Sequence, residues 1–316
     1  MTASTAGSGL PEPGPALTAG EALGVVDELA TLIGDALGRP VRLVLGSALP
    51  PVDSPVFHAY DGAGAPVAIA RWALDPGSAQ LLLDEAAVLA ALEEAAERGS
   101  PLVAPRVLVL TTWRGRPLLV QEAGAPPYRT RPPARAALLA AERAVARLVT
   151  PADLDRSYAT QLRTALAGLE PSSLTERLVA TLGLLAERHD LEALPRGAWH
   201  GSWSPDTTAS CAAGGGRVLA WGWERFAVNR PLGFDTLHFR LTQLRRDGRA
   251  SGAGAALVRE APRLLADWPV PLEDRDCVAR LLLLELAARE ITEVGTRHAP
   301  VSWAADWLAP TLPTSA

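Results

Sequence analysis

Between Trp199 and Phe239 lies a short stretch rich in chemically capable side chains: WHGSWSPDTTASCAAGGGRVLAWGWERFAVNRPLGFDTLHF. His200 stands two residues before Ser202, which raises nucleophilic catalysis, but nothing in the pattern orients such a pair. No Gly-x-Ser-x-Gly elbow is present, and neither Cys211 nor Cys277 has a patterned histidine neighbour. The glycines at 214–216 could cradle a phosphate, yet they fall between two strand candidates with no helix following, which predicts a hairpin turn. Trp199, Trp203, Trp221 and Trp223 crowd the same stretch. Their rings would either stack a base or sugar or fill the core beneath the loop.

The order of these residues resembles the aminoglycoside phosphotransferase and choline kinase-like family, a branch of the protein-kinase fold. Its members carry His-Gly-Asp, four residues and Asn, then an apolar strand, Asp-Trp-Glu or similar, and Pro-x-x-x-Asp. The corresponding residues here are His200-Gly201-Ser202, Thr207, the strand Arg217 to Trp221, Gly222-Trp223-Glu224, and Pro231 with Asp235.

Phosphoryl transfer rests on positioning and on neutralising negative charge, so each departure has a chemical meaning. The resemblance implies a base at 202, where Ser202 has a hydroxyl pKa far too high for that task. It implies magnesium ligands at Thr207, which replaces Asn, and at Gly222, which has no side chain. It implies a phosphate-anchoring lysine on the third strand of the small lobe, where the match is Arg71, and all thirty basic residues of the chain are arginines. Glu85 would partner that cation, or belong to a solvated face beside Asp84. Gln121, Glu122 and Ala123 would meet the nucleotide base, His200 would frame the loop, and Asp235 would brace it.

Magnesium prefers octahedral oxygen ligands that include carboxylates. Asp206 and Glu224 are the candidates to replace those lost. Glu224 shares the face of residue 222 if the strand continues, and leaves it if the chain turns. The resemblance therefore implies a catalytically degenerate member, a pseudokinase acting as a binding or regulatory module for a protein partner or small molecule, with no cofactor expected. An active phosphotransferase using ATP and Mg²⁺ on an alcohol acceptor is the alternative.

Positioning these residues requires two lobes. An amphipathic helix is predicted from Ala19 to Gly38, then strands at 41–46, 56–60 and 67–74, a helix from Ser78 to Ala96, and strands at 106–113 and 117–123. A proline-punctuated connector, APPYRTRPPAR, follows a hinge near 121–126. Helices are then predicted at 133–149, 158–168, 173–190, 233–246, 252–267, 275–297 and 301–308, with a strand-loop-strand insert at 198–226. This is an α+β, two-lobed pattern: a disordered tail at 1–18, a β-rich lobe at 19–124 and a helical lobe at 125–316.

The 316 residues suffice for a large core, and 48% are hydrophobic. No run of apolar residues is long enough for a membrane helix, and the N-terminus has no signal-peptide pattern. A net charge of −5 offers no electrostatic reason to bind nucleic acid. Two cysteines form no disulfide framework, and five scattered histidines form no zinc pattern, which points to a reducing cytoplasm.

Overall fold

A computed structural model describes residues 19–46, 54–94, 100–123, 132–211, 216–247 and 252–295. The tail 1–18, most of the proline-rich connector, residues 212–215 of the glycine-rich turn and the helix expected at 301–308 lie outside the described residues.

The small lobe begins with α1 (Ala19–Leu37), followed by β1 (Arg42–Leu45), β2 (Val56–Tyr60), β3 (Pro66–Trp72) and α2 (Pro76–Glu94). A two-residue β4 (Leu102–Val103) precedes β5 (Val107–Trp113) and β6 (Arg116–Glu122). The five longer strands form one antiparallel sheet in the order β1-β2-β3-β6-β5.

Strand alternation assigns the two sheet faces. Ala68, Ala70, Leu118 and Val120 pack against Val25, Leu29 and Ile33, which recur at helical spacing along α1. Leu119, one residue out of phase, packs instead with Leu82 and Ala86 of α2. Arg71 and Gln121 have that same phase, so β3 and β6 turn both toward α2. Its buried positions Leu82, Glu85, Ala86 and Leu89 make one stripe. Asp75 and Ser78 cap this helix, with the Ser78 amide donating to Asp75 Oδ1 at 2.9 Å.

The large lobe runs α3 (Arg135–Ala146), α4 (Pro151–Leu154), α5 (Tyr158–Ala167), α6 (Ser173–Arg188), β7 (Arg196–Trp199), β8 (Thr208–Ser210), β9 (Val218–Ala220), β10 (Ala227–Pro231), α7 (Phe234–Arg246), α8 (Ala253–Leu264) and α9 (Arg275–Gly295). Residues Leu281 to Leu284 of α9 are all buried, which makes this helix the centre around which α5 to α8 pack. β8 and β9 form the expected hairpin, and β10 returns antiparallel to β7. β4 pairs in parallel with β9, Leu102 opposite Val218, and so stitches the two lobes. A two-residue strand has no period to read, which is why sequence patterning missed it.

Under the cleft, Leu89, Leu102, Ala141, Val145, Trp203, Val218, Ala220 and Trp223 share one core cluster. Trp199 belongs to the large-lobe core, and Trp221 is half-buried. Three of the four tryptophans therefore fill core beneath the loop. Among the described residues, no helix is long and apolar enough to cross a membrane.

Candidate functional site

The cleft is built around one largely enclosed cation. Arg71 Nη1 donates to Glu85 Oε2 in a short contact and lies 3.4 Å from Glu224 Oε2. Glu85 is fully buried and also accepts from the Trp223 amide at 3.4 Å and from the Gln121 side chain. Burial pushes the Glu85 carboxyl up, to about 7, against the pull of Arg71. Burial also works against the Arg71 charge, but the two carboxylates outweigh it and hold the guanidinium cationic. The result is a carboxylate–guanidinium–carboxylate sandwich joining β3, α2 and the 3-10 turn Trp223–Arg225. Removing one member of such an arrangement leaves charge buried without a partner.

Glu224 arrives by a turn. Gly222 has φ +81°, a left-handed conformation that ends the extended β9 direction. The turn brings Glu224 back: its Oε2 lies 3.6 Å, and Thr207 Cγ2 3.5 Å, from where a Cβ on residue 222 would stand. Asp206 goes the other way, largely exposed and ion-paired with Arg246.

The loop between β7 and β8 is held from below. Asp235, at the start of α7, accepts the His200 amide on Oδ2 at 3.2 Å and also the Gly201 amide. Burial and the nearby Glu142 raise its pKa well above the usual carboxylate range. Gly201 has φ +84°, and a Cβ there would collide with the Arg225 carbonyl, so no other residue fits. The Gly201 carbonyl accepts from Arg289 of α9 at 2.8 Å.

His200 is fully buried, and burial lowers its pKa to about 3, so it is neutral. Its ring sits edge-on between Trp203 and Trp223, with centroids 5.2 and 4.3 Å away. Nδ1 accepts from the Ser202 amide at 3.2 Å, which puts the proton on Nε2. The lone pair of His200 is thus spent on the Ser202 backbone, and it cannot act as base toward the Ser202 hydroxyl. Thr207 is equally committed: Oγ1 donates to the Ser202 carbonyl at 2.6 Å and accepts from the Ser204 amide at 3.0 Å.

At the expected hinge, the Gln121 side chain is buried behind Glu85 and does not line an open edge. The Glu122 amide donates to the Arg106 carbonyl at 2.9 Å, and its carboxylate pairs with the Arg106 side chain at 3.1 Å. The Ala123 amide donates to the Val67 carbonyl at 3.3 Å. Both amides are therefore used inside the small lobe.

The donor set does not fit a magnesium ion in this arrangement. Glu224 is held by Arg71, Thr207 gives its proton to the loop, and Asp206 is drawn off by Arg246. Among the described residues, no three His, Cys, Asp or Glu side chains group as metal ligands.

Glu142, Thr236, Trp268 and Arg289 went unnoticed in the sequence reading. Glu142 carried a legible signal, since it lies at helical spacing from the apolar Leu138 and Val145 of α3. It is buried, and burial raises its pKa to about 7 despite a hydrogen bond from Thr236.

No protein-family model matches the chain, and no curated protein matches it. Solved structures do. A thermostable mutant of the aminoglycoside phosphotransferase APH(4)-Ia, in a ternary complex with ADP and hygromycin B, aligns with a TM-score of 0.52 at 14% identity, covering 88% of this chain and 95% of that one. APH(2")-IIia with GDP and kanamycin aligns with a TM-score of 0.54 at 12% identity, covering 90% and 96%. Choline kinase LicA from Streptococcus pneumoniae aligns with a TM-score of 0.52 at 10% identity, covering 88% and 95%. The chain has the two-lobed, kinase-like fold of these phosphotransferases over nearly its whole length.

Proposed function

We propose that this protein is a catalytically degenerate phosphotransferase of the kinase-like fold, a pseudokinase that acts as a binding or regulatory module for a protein partner or a small molecule. One observation carries the reading: the groups that would do the chemistry are absent or committed to structure. Ser202 stands at the base position, and the Thr207 hydroxyl holds the loop together. The carboxylate nearest Gly222, that of Glu224, is bound to Arg71. Asp235 and Gly201 hold the loop in shape through contacts that use none of those groups, so the frame stands where the chemistry does not.

The nucleotides bound by the solved neighbours make ATP the ligand to test, and Glu224 gives the competing active-enzyme reading its one foothold, since it stands where a metal-bridging carboxylate would reach. Melting of the full chain is measured with ATP, with and without Mg²⁺, for the wild type and for Glu224→Ala. A ligand at 100 times its Kd stabilises by about 2.7 kcal/mol, a readily measured shift. The expected result is no Mg²⁺-dependent shift and no ATP turnover. A Mg²⁺-dependent shift that disappears in Glu224→Ala, or phosphoryl transfer to any alcohol, overturns the proposal in favour of an active phosphotransferase.

A further inference from the structure

We infer that the large lobe carries a second ligand site, distinct from the cleft, that binds a small apolar molecule bearing a primary ammonium group. The site is a pocket of about 400 Å³ between α3, α7 and α8. That volume is within the range of small-molecule sites, roughly 300–1,000 Å³. Leu138, Leu139, Phe239 and Leu264 supply apolar walls, and Glu142 and Thr236 supply the polar floor.

Charge selects the ligand class. The guanidiniums around the mouth have carboxylate partners: Arg135 pairs with Asp267 at 3.4 Å, Arg240 with Glu260 through a two-pronged contact at 2.8 and 3.1 Å, and Arg263 shares that Glu260 at 3.6 Å. Among the described residues Glu142 makes no direct ion pair; Arg135 and Arg143 favour its charge only from a distance. Its hydrogen bond from Thr236 engages Oε2, and Thr236 in turn accepts from the Trp268 indole at 2.9 Å. The Trp203 indole N–H is close enough to favour the Glu142 charge but completes no hydrogen bond, although it is fully buried. A buried carboxylate with only neutral hydrogen-bond donors is stabilised most by an incoming cation with N–H donors. Burial raises the Glu142 pKa to about 7, as expected of a carboxylate lacking that cation.

The floor of this pocket abuts the loop of the cleft. Trp203 belongs to that loop, and Thr236 follows Asp235, whose carboxylate holds the His200 amide. An occupant seated on Glu142 and Thr236 therefore stands one residue along the chain from the Asp235 brace of the loop, whether or not the cleft holds a nucleotide.

The test uses three probes of one shape: phenethylamine, 2-phenylethanol and phenylacetate, titrated into the full chain by calorimetry and thermal melting. The expected result is saturable binding of the amine, with the alcohol and the acid each about tenfold weaker or worse. Glu142→Gln keeps an oxygen for Thr236 and removes the charge, and it is expected to erase the preference for the amine. Leu139→Trp fills the apolar wall and is expected to abolish binding of every probe while the protein still melts cooperatively. Equal binding of amine and alcohol to the wild type, preference for phenylacetate, an amine preference that survives in Glu142→Gln, amine binding that survives in Leu139→Trp, or no amine binding at millimolar concentration would each overturn the inference.

Discussion

Glu224 supplies a carboxylate in the space that Gly222 leaves empty. Its Oε2 lies 3.6 Å from where a Cβ on Gly222 would be, although the chain reaches it through a left-handed turn and not along a continuing strand. The same oxygen faces Arg71, so the substitute carboxylate is drawn into an ion pair across the lobes. Gly222 and Arg71 thereby act together: the space left by the glycine admits the Glu224 carboxylate, and the long, forked cation meets it in the middle of the cleft.

Arg71→Ala is expected to destabilise the fold by about 3–5 kcal/mol, because it leaves Glu85 buried with a charge and no cation. The double variant Arg71→Met with Glu85→Leu is expected to recover most of that loss. Urea denaturation of the three proteins checks both; a single variant as stable as wild type would mean that Glu85 is already neutral in the cleft.

Gly201→Ala is expected to cost more than about 3 kcal/mol, combining a left-handed backbone at φ +84° with a collision against the Arg225 carbonyl. Gly64→Ala provides the comparison: φ is +79° but nothing lies within 4 Å of the added methyl, so only the backbone strain of about 1–2 kcal/mol applies. Equal losses in the two would remove the argument that close approach, and not backbone strain alone, requires glycine at 201.

The pH dependence of stability carries the signature of Glu142. Its pKa rises from 4.5 to about 7 on folding, so between those values the folded state holds a proton that the unfolded state releases. This contribution is full below pH 4.5 and is lost as pH rises through about 7. His200 acts oppositely: lowered from 6.5 to about 3, it stays neutral when folded, so stability falls as pH drops below 6.5. Glu142→Gln is expected to make the downward slope toward neutral pH shallower, the raised Glu85 and Asp235 carboxyls supplying the remainder, and to leave the acid-side loss intact. An unchanged slope above pH 5 in denaturant melts of the variant would assign the effect elsewhere.

Installing the groups that the resemblance implies at 202, 207 and 222 tests what the loop can support. Gly222→Asp combined with Ser202→Asp and Thr207→Asn is expected to lower stability by about 1–3 kcal/mol without metal, through left-handed strain and repulsion from Glu224. With Mg²⁺ and ATP, the same variant is expected to gain a melting shift that the wild type lacks. A variant that folds and shows no such shift would mean that these three positions are not what decides nucleotide binding in the cleft.

Much of this was readable from local pattern. Alternation along β3 and β6 separates Ala68, Ala70, Leu118 and Val120 from Arg71 and Gln121. Helical spacing puts Glu85 on the stripe with Leu82 and Leu89. Strand and helix geometry repeat every two or 3.6 residues, so neighbours in sequence report which face each side chain takes. The His200-Gly201 and Asp235 frame was legible for a related reason: a backbone that admits only glycine and a buried brace tolerate few alternatives.

What tertiary structure alone decided is where distant charges meet. Arg71 and Glu224 are 153 residues apart, and their contact depends on the direction in which Gly222 sends the chain. Asp206 and Glu224 were both candidate replacement carboxylates, and the fold sent one out to Arg246 and the other in to Arg71. The two-residue pairing of β4 with β9, and the pocket that gathers Glu142 with residues of α7 and α8, are likewise products of packing between elements. Sequence spacing sets the face of an element; which charges end up opposite that face is fixed only when the lobes close on each other.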